Sequence, residues 1–160
     1  FDVETLCKYI TIKNYTMETK NANGGAGFTE YNDGTIQFET TQWSQGYYDN
    51  GKIWQTFTLP EGKYEMRIEV KNAANIGSGS TNIHFAVAQG ESLPDNEELE
   101  KSDIILSYLK FESEHTNKTS ALPIFELTEE KTITVGWVVS FSDICRNIEF
   151  KSVRLWSVAE

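Results

Sequence analysis

Ile53-Trp54-Gln55-Thr56-Phe57-Thr58-Leu59, then Pro60-Glu61-Gly62, then Lys63-Tyr64-Glu65-Met66-Arg67-Ile68-Glu69-Val70 is the stretch that decides the fold. Tyr64, Met66, Ile68 and Val70 are apolar and alternate with Lys63, Glu65, Arg67 and Glu69. A period of two means one wet face and one buried face. Pro60 and Gly62 carry turn chemistry. The stretch is expected to form a β-hairpin.

Strand patterns continue on both sides. Tyr9–Lys13 reads as a first strand, and Asn21–Gly27 as a glycine-rich loop. Thr35–Thr41 alternates, with Ile36 and Phe38 on one face. Asn82–Ala88 sets Ile83, Phe85 and Val87 together and His84 opposite. Ile104–Phe111 is apolar on both faces, as expected of a central strand. Ala121–Leu127 is a weaker strand. Thr132–Phe141 sets Ile133, Val135, Trp137, Val139 and Phe141 on one face. Ile148–Val158 closes the chain, and its apolar phase moves from Ile148 and Phe150 to Val153 and Leu155, as a β-bulge would produce. The one helical pattern is short: Ser92–Glu100 has a candidate cap, Pro94 near its start and acids in its first turn. About eight strands with regular turn signals predict an all-β protein, an antiparallel two-sheet β-sandwich or jelly roll. No linker divides the chain, so residues 1–160 read as one domain.

The chain has 160 residues, enough to bury a core, and 24% are charged against 39% hydrophobic. That balance is globular rather than disordered. The net charge of −10 opposes nucleic-acid backbones and anionic membranes. It leaves neutral and cationic ligands unhindered; an anionic ligand would need a local exception. No apolar run approaches the roughly 20 residues of a membrane span. The opening at Phe1, without an initiator Met, suggests a mature or trimmed chain, so the lack of a targeting segment says nothing about compartment.

Consecutive antiparallel strands alternate in direction, so alternate loops share one end of a sandwich. The loops at 43–52, 71–81, 113–120 and 142–147 are then expected at one end, and loops on a rigid sandwich are where binding usually sits. The first holds Trp43, Tyr47, Tyr48, Asp49 and Asn50. The others hold Asn75, His115, Asp143 and Arg146. Flat aromatic faces beside amides and carboxylates suit sugar rings: the C–H face stacks, and the hydroxyls take planar polar partners. The competing reading has Trp43 and one tyrosine capping the core, with Asp49-Asn50-Gly51 merely making a turn. Adjacent tyrosines cannot both point inward on an extended backbone.

Other chemistry is weak. Glu65 and Glu69 flank Arg67, which would neutralise both on a solvent face; glycoside hydrolysis needs carboxylates facing across a cleft. His84 and His115 lack metal-ligand spacing, and Glu112, Glu114 and His115 read as solvated loop. No phosphate loop, dinucleotide fingerprint or nucleophile elbow is present. The chain is read as a non-enzyme. The acidic run Asp95–Glu100 reads as a solvated helix face. No cofactor is expected; a structural calcium on Asp33 or Asp49 with backbone carbonyls stays open. Cys7 and Cys145 are either bridged across a long loop or two separate thiols. The sequons at Asn14 and Asn117 matter only in a eukaryotic secretory host.

Trp54-Gln55-Thr56-Phe57-Thr58-Leu59-Pro60-Glu61-Gly62-Lys63-Tyr64 resembles the "aromatic-Gln-Thr, Leu-Pro-x-Gly-x-Tyr" hairpin of galactose-binding-like jelly rolls. Asp49–Lys52, Val3–Asn14 and Ile148–Trp156 are similar to an uncharacterised family of such modules in surface and periplasmic lipoproteins of Gram-negative gut bacteria, often near polysaccharide-utilisation machinery. The resemblance implies a jelly roll, an extracytoplasmic home at the cell surface or in the periplasm, and a carbohydrate partner. No residue-level binding motif carries over. The expectation is a glycan-binding module that takes a poly- or oligosaccharide at loop-end aromatics, Tyr47, Tyr48 and Trp43. Asp49, Asn50, Asn75, His115, Asp143 and Arg146 would supply hydrogen bonds. The alternative is a structural or protein-interaction domain that contacts other domains of a larger surface protein; its signature would be an exposed apolar patch.

Overall fold

The computed structural model describes residues 16–18, 27–33, 35–41, 48–74, 76 and 81–158. Pairing divides the strands between two antiparallel sheets. The first sheet holds, side by side, β1 (Thr16–Glu18), β4 (Tyr48–Leu59), β10 (Lys131–Phe141), β6 (Thr81–Gln89) and β7 (Ile105–Lys110). The second holds β2 (Gly27–Glu30), β3 (Ile36–Thr40), β11 (Arg146–Val158), β5 (Gly62–Ala74) and β8 (Lys118–Ala121), with β9 (Phe125–Leu127) also paired to β5. The molecule is an antiparallel two-sheet jelly-roll sandwich.

The expected hairpin is corrected by this topology. β4 pairs with β1 and β10, whereas β5 pairs with β11, β8 and β9. Pro60 and Glu61 therefore carry the chain from one sheet to the other, as an arch. Both arrangements need the same alternation, because each strand buries one face in the same core. In the arch Leu59 and Tyr64 lie in that core, and Tyr64 Oη closes the turn by donating to Pro60 O at 2.8 Å.

Apolar alternation accounts for the rest of the core. Trp137 of β10 sits at its centre, stacked on Phe150 at a centroid distance of 4.5 Å and set against Phe111 and Phe85 at 4.7 and 5.3 Å. Ile133, Val135 and Val139 share its face. The bulge expected in the last strand is present: the β11–β5 register shifts around Phe150 and Ser152. Ile148, Phe150, Val153 and Leu155 are all in the core despite the change of phase.

Two strand expectations are corrected as well. Ile104–Phe111 was expected at the centre of a sheet, yet β7 is an edge. Its second apolar face is covered by the 90–104 segment, which folds back over the outside of the first sheet. There Ile105 and Tyr108 pack with Leu93, Leu99, Ala86, Ala88 and Val138 in a satellite core. Ala121–Leu127 is not one strand: it holds the last residue of β8, three residues outside any strand, and β9. The expected strand at Tyr9–Lys13 lies outside the described residues, and so does the expected loop as far as residue 26.

Candidate functional site

Strand counting located the loop end correctly. Phe141 is opposite both Tyr48 and Thr81, Arg146 is opposite Thr40, and Asn147 is opposite Ala74. The starts of β4, β6 and β11 and the ends of β3, β5 and β10 therefore share one end of the sandwich. The turn at Ser113–His115 joins them: Ser113 N donates to Ile76 O, and Thr116 Oγ1 donates to Ala73 O. Trp43, Tyr47 and Asn75 lie outside the described residues.

Tyr48 is no surface platform. Its ring is 2% exposed and wedged edge-on between Phe38 and Phe141, each at 5.4 Å. Residue 48 begins a strand, and its position in the alternation sends the ring inward. Asn50 is also spent on structure, at 6% exposure and with φ of 54°. Its Oδ1 accepts the Asn96 backbone N–H at 2.7 Å, and its Nδ2 donates to Asp49 Oδ1 and Glu97 Oε2 at 3.2 Å. Arg146 stitches its own turn: Nη1 donates to Ile144 O at 2.8 Å, and Nη2 meets Asp143 Oδ2 at 3.3 Å. Thr40 Oγ1 donates to Asp143 O across the same turn. The half-buried His115 uses Nδ1 to accept the Glu112 N–H at 2.9 Å and packs its ring on Phe111. Of the carboxylates expected in the site, Asp49 and Asp143 are exposed at this end; Asp49 Oδ1 accepts from Asn50, and Asp143 Oδ1 accepts the Ile144 N–H at 2.8 Å. Cys145 is exposed, with φ of 58°, while Cys7 lies outside the described residues.

Sequence reasoning missed a polar seam on the outer face of the first sheet. The acidic run is not a free solvated face. Helix α1 (Asn96–Leu99) is pinned by Asn96, whose Nδ2 donates to Asn82 O and Ser140 Oγ, both at 2.8 Å. His84, 1% exposed, donates from Nδ1 to Asn96 Oδ1 at 2.8 Å and holds Nε2 at 3.2 Å from Glu100. Lys52 Nζ donates to Leu93 O at 2.9 Å and meets Asp95 at 2.7 Å. The available clue was His84 and Ser140, polar residues on outward positions of the largely apolar strands β6 and β10, with Lys52 on the outward side of β4.

Two concavities stand outside the predicted site. One, of about 380 Å³, runs beside the β7 edge and is lined by Ile105, Leu106, Tyr108 and Pro123 among others. The other, of about 120 Å³, lies on the outer face of the second sheet around Arg67, Arg154 and Trp156. There Arg67 pairs through Nε with Glu65 at 2.6 Å, whereas Glu69 turns to Ser152 and Lys151. The expectation that Arg67 neutralises both glutamates thus holds for one of them.

Among the described residues no group of three His, Cys, Asp or Glu is placed to hold a metal ion. Asp33 lies before β3 and accepts the Thr35 N–H at 2.9 Å; hydrogen bonding from Thr35 holds its carboxyl below the usual 3.8. Asp49 accepts from Asn50 at the loop end. The two open calcium candidates are therefore on separate elements. No helix among the described residues is long and apolar enough to cross a membrane.

A family model described as a domain of unknown function, DUF5013, matches residues 6–136. No curated protein matches the chain. Among solved structures, TmCBM61 in complex with beta-1,4-galactotriose is similar at a TM-score of 0.54 and 11% identity, over 97% of this chain and 93% of that one. The xylan-binding module CBM15 is similar at 0.55 and 12%, over 96% and 99%. The Emp47p carbohydrate recognition domain is similar at 0.53 and 11%, over 92% and 90%. These likenesses are of fold alone, a two-sheet jelly roll.

Proposed function

The chain belongs to the DUF5013 family, and from that premise we propose that it is a non-catalytic carbohydrate-binding module of an extracytoplasmic protein, at the cell surface or in the periplasm. The observation that carries the reading is end-to-end likeness in fold to TmCBM61, in complex with beta-1,4-galactotriose, and to the xylan-binding module CBM15. The proposed glycan site is the loop end. Trp43 and Tyr47 stack on the sugar, and Asp49, Asp143, Asn75 and His115 take its hydroxyls. Tyr48, Asn50 and Arg146 hold the scaffold beneath.

Affinity electrophoresis against a panel of neutral polysaccharides tests this. Retardation that disappears in Trp43→Ala/Tyr47→Ala, with the melting temperature kept, supports the site. Retardation unchanged in that variant moves the site elsewhere, and no retardation by any polymer overturns the reading.

One observation favours a second reading, docking of another domain of the same protein. Ile104 and Ile124 are 38% and 53% exposed, and Ile105 and Pro123, their chain neighbours, line the groove beside the β7 edge. Such a patch is an interaction signature. Ile104→Lys/Ile124→Lys would then abolish association with the parent protein's other domains and leave glycan binding intact.

A further inference from the structure

Two of the chain's three arginines stand directly opposite each other on the outer face of the second sheet: Arg67 of β5 is the cross-strand partner of Arg154 of β11. Like charges in that relation repel, so the Arg67–Arg154 pair does not itself strengthen the sheet. Their neighbours are in register too, Glu65 opposite Trp156 and Glu69 opposite Ser152. Thr119 of β8 faces Glu69 from the other side.

The bulge makes this face. Lys151 drops out of the β11–β5 ladder, and the phase of β11 changes there. Val153 and Leu155 then point into the core at 2% and 1% exposure, and Ser152, Arg154 and Trp156 point out. Had the phase of Ile148 and Phe150 continued, those three would face the core. A bulge that re-aims side chains in this way is common beside binding sites.

Arg67 is held in place before any ligand arrives. Its Nε donates to Glu65 Oε1 at 2.6 Å, and its guanidinium lies 5.0 Å from the centre of the Trp156 ring. Among the described residues neither of its Nη groups has a partner. Glu69 is similarly fixed by Ser152 Oγ at 3.2 Å. The groove between them has about 120 Å³ and is lined by Arg67, Glu69, Thr119, Ser152, Arg154 and Trp156. That is below the roughly 300 Å³ of an ordinary small-ligand pocket, and fits one unit of a chain lying along an open sheet.

We propose that this groove binds a hexuronate unit of an acidic polysaccharide. The opposed guanidiniums take the planar carboxylate, for which their fork geometry is matched. Glu69, Ser152 and Thr119 take hydroxyls of the same ring. Arg67, Arg154 and Lys151 bring three cations to this face of a chain of net charge −10, beside Glu65 and Glu69. The groove is a different surface from the loop end. The proposal rests on the glycan-binding reading for the sugar and on the arginine pair for the carboxylate.

The test is affinity electrophoresis of the whole chain in gels containing polygalacturonate, its carboxyl-reduced neutral counterpart, or the neutral panel. The expected result is retardation by polygalacturonate, weakened by salt, and none by the reduced polymer. Arg67→Gln and Arg154→Gln each weaken it about tenfold, as does Arg67→Lys, which keeps the charge and loses the fork. Trp43→Ala/Tyr47→Ala leaves it unchanged. The proposal is overturned by no retardation in polygalacturonate, by equal retardation in the reduced polymer, or by arginine variants that bind like the wild type. Any of these together with Tyr47-dependent binding of a neutral glycan overturns this groove and leaves the loop-end site standing. Arginine-dependent retardation by polygalacturonate with no neutral polymer bound supports the groove and removes the loop-end site.

Discussion

Asn50 Oδ1 accepts the backbone N–H of Asn96 at 2.7 Å, across 46 positions of sequence. Asn96 opens α1, whose N-cap Asp95 makes no side-chain capping bond. A strand residue in the left-handed region thus satisfies one of the helix's orphan donors. It fastens the 90–104 segment to the outside of the first sheet.

Replacing Asn50 separates its two roles. Asn50→Gly keeps the φ of 54° accessible and loses the bonds, for an expected cost of about 1–3 kcal/mol. Asn50→Ala adds backbone strain and should cost about 1 kcal/mol more. Urea denaturation gives both values. Hydrogen exchange in the glycine variant should rise in 90–104 before it rises in β10; uniform exchange would show that the segment is not held through Asn50.

Tyr48 and Asp49 are neighbours with opposite fates. Tyr48→Ala removes a ring packed between Phe38 and Phe141 and should cost about 3–5 kcal/mol. Asp49→Ala, on an exposed carboxylate, should stay within about 0.5 kcal/mol. Thermal melts of the two variants check the difference, and a mild Tyr48→Ala would place the ring outside the core.

Gly136 is paired with Trp54 on one side and Ala86 on the other. A Cβ there would run into Ile53 O and the Trp54 backbone, neither of which can swing aside. Gly136→Ala is expected to destabilise by about 3 kcal/mol or more, at the upper end of overpacking effects. Soluble yield and melting temperature read this out; a variant as stable as the wild type would contradict the β4–β10 register.

Tyr64 predicts an alkaline limit. Burial raises its phenol above the ordinary 10.0, so the folded state holds the proton more tightly than the unfolded chain. Its contribution is complete below pH 10 and falls as pH rises through the unfolded value toward the folded one. Tyr64→Phe should lose about 1 kcal/mol at neutral pH with the bond to Pro60 O. It should also lose less stability than the wild type between pH 9 and 11. Parallel alkaline profiles for the two proteins would remove Tyr64 from the account.

Alternation alone was enough to read from the sequence the all-β class, the buried faces of β5, β6 and β10, and the bulge between Phe150 and Val153. These follow from one-dimensional periodicity, since a strand with one buried face must repeat every second residue. Strand direction also follows from order, which is why the shared loop end was legible. Partnership was not. Leu59 and Tyr64 carry the same pattern whether β4 and β5 pair or face each other across the core, and only the packed sheets choose the arch. Tyr48 and Asn50 read as surface chemistry because their sequence neighbours are polar; Phe38 and Phe141 enclose the one, and Asn96 takes up the other. Arg67 and Arg154 are 87 positions apart, and periodicity within either strand cannot say that they are opposite. Local physical chemistry determined which way each side chain of a strand turns, and long-range hydrogen bonding decided what it meets there.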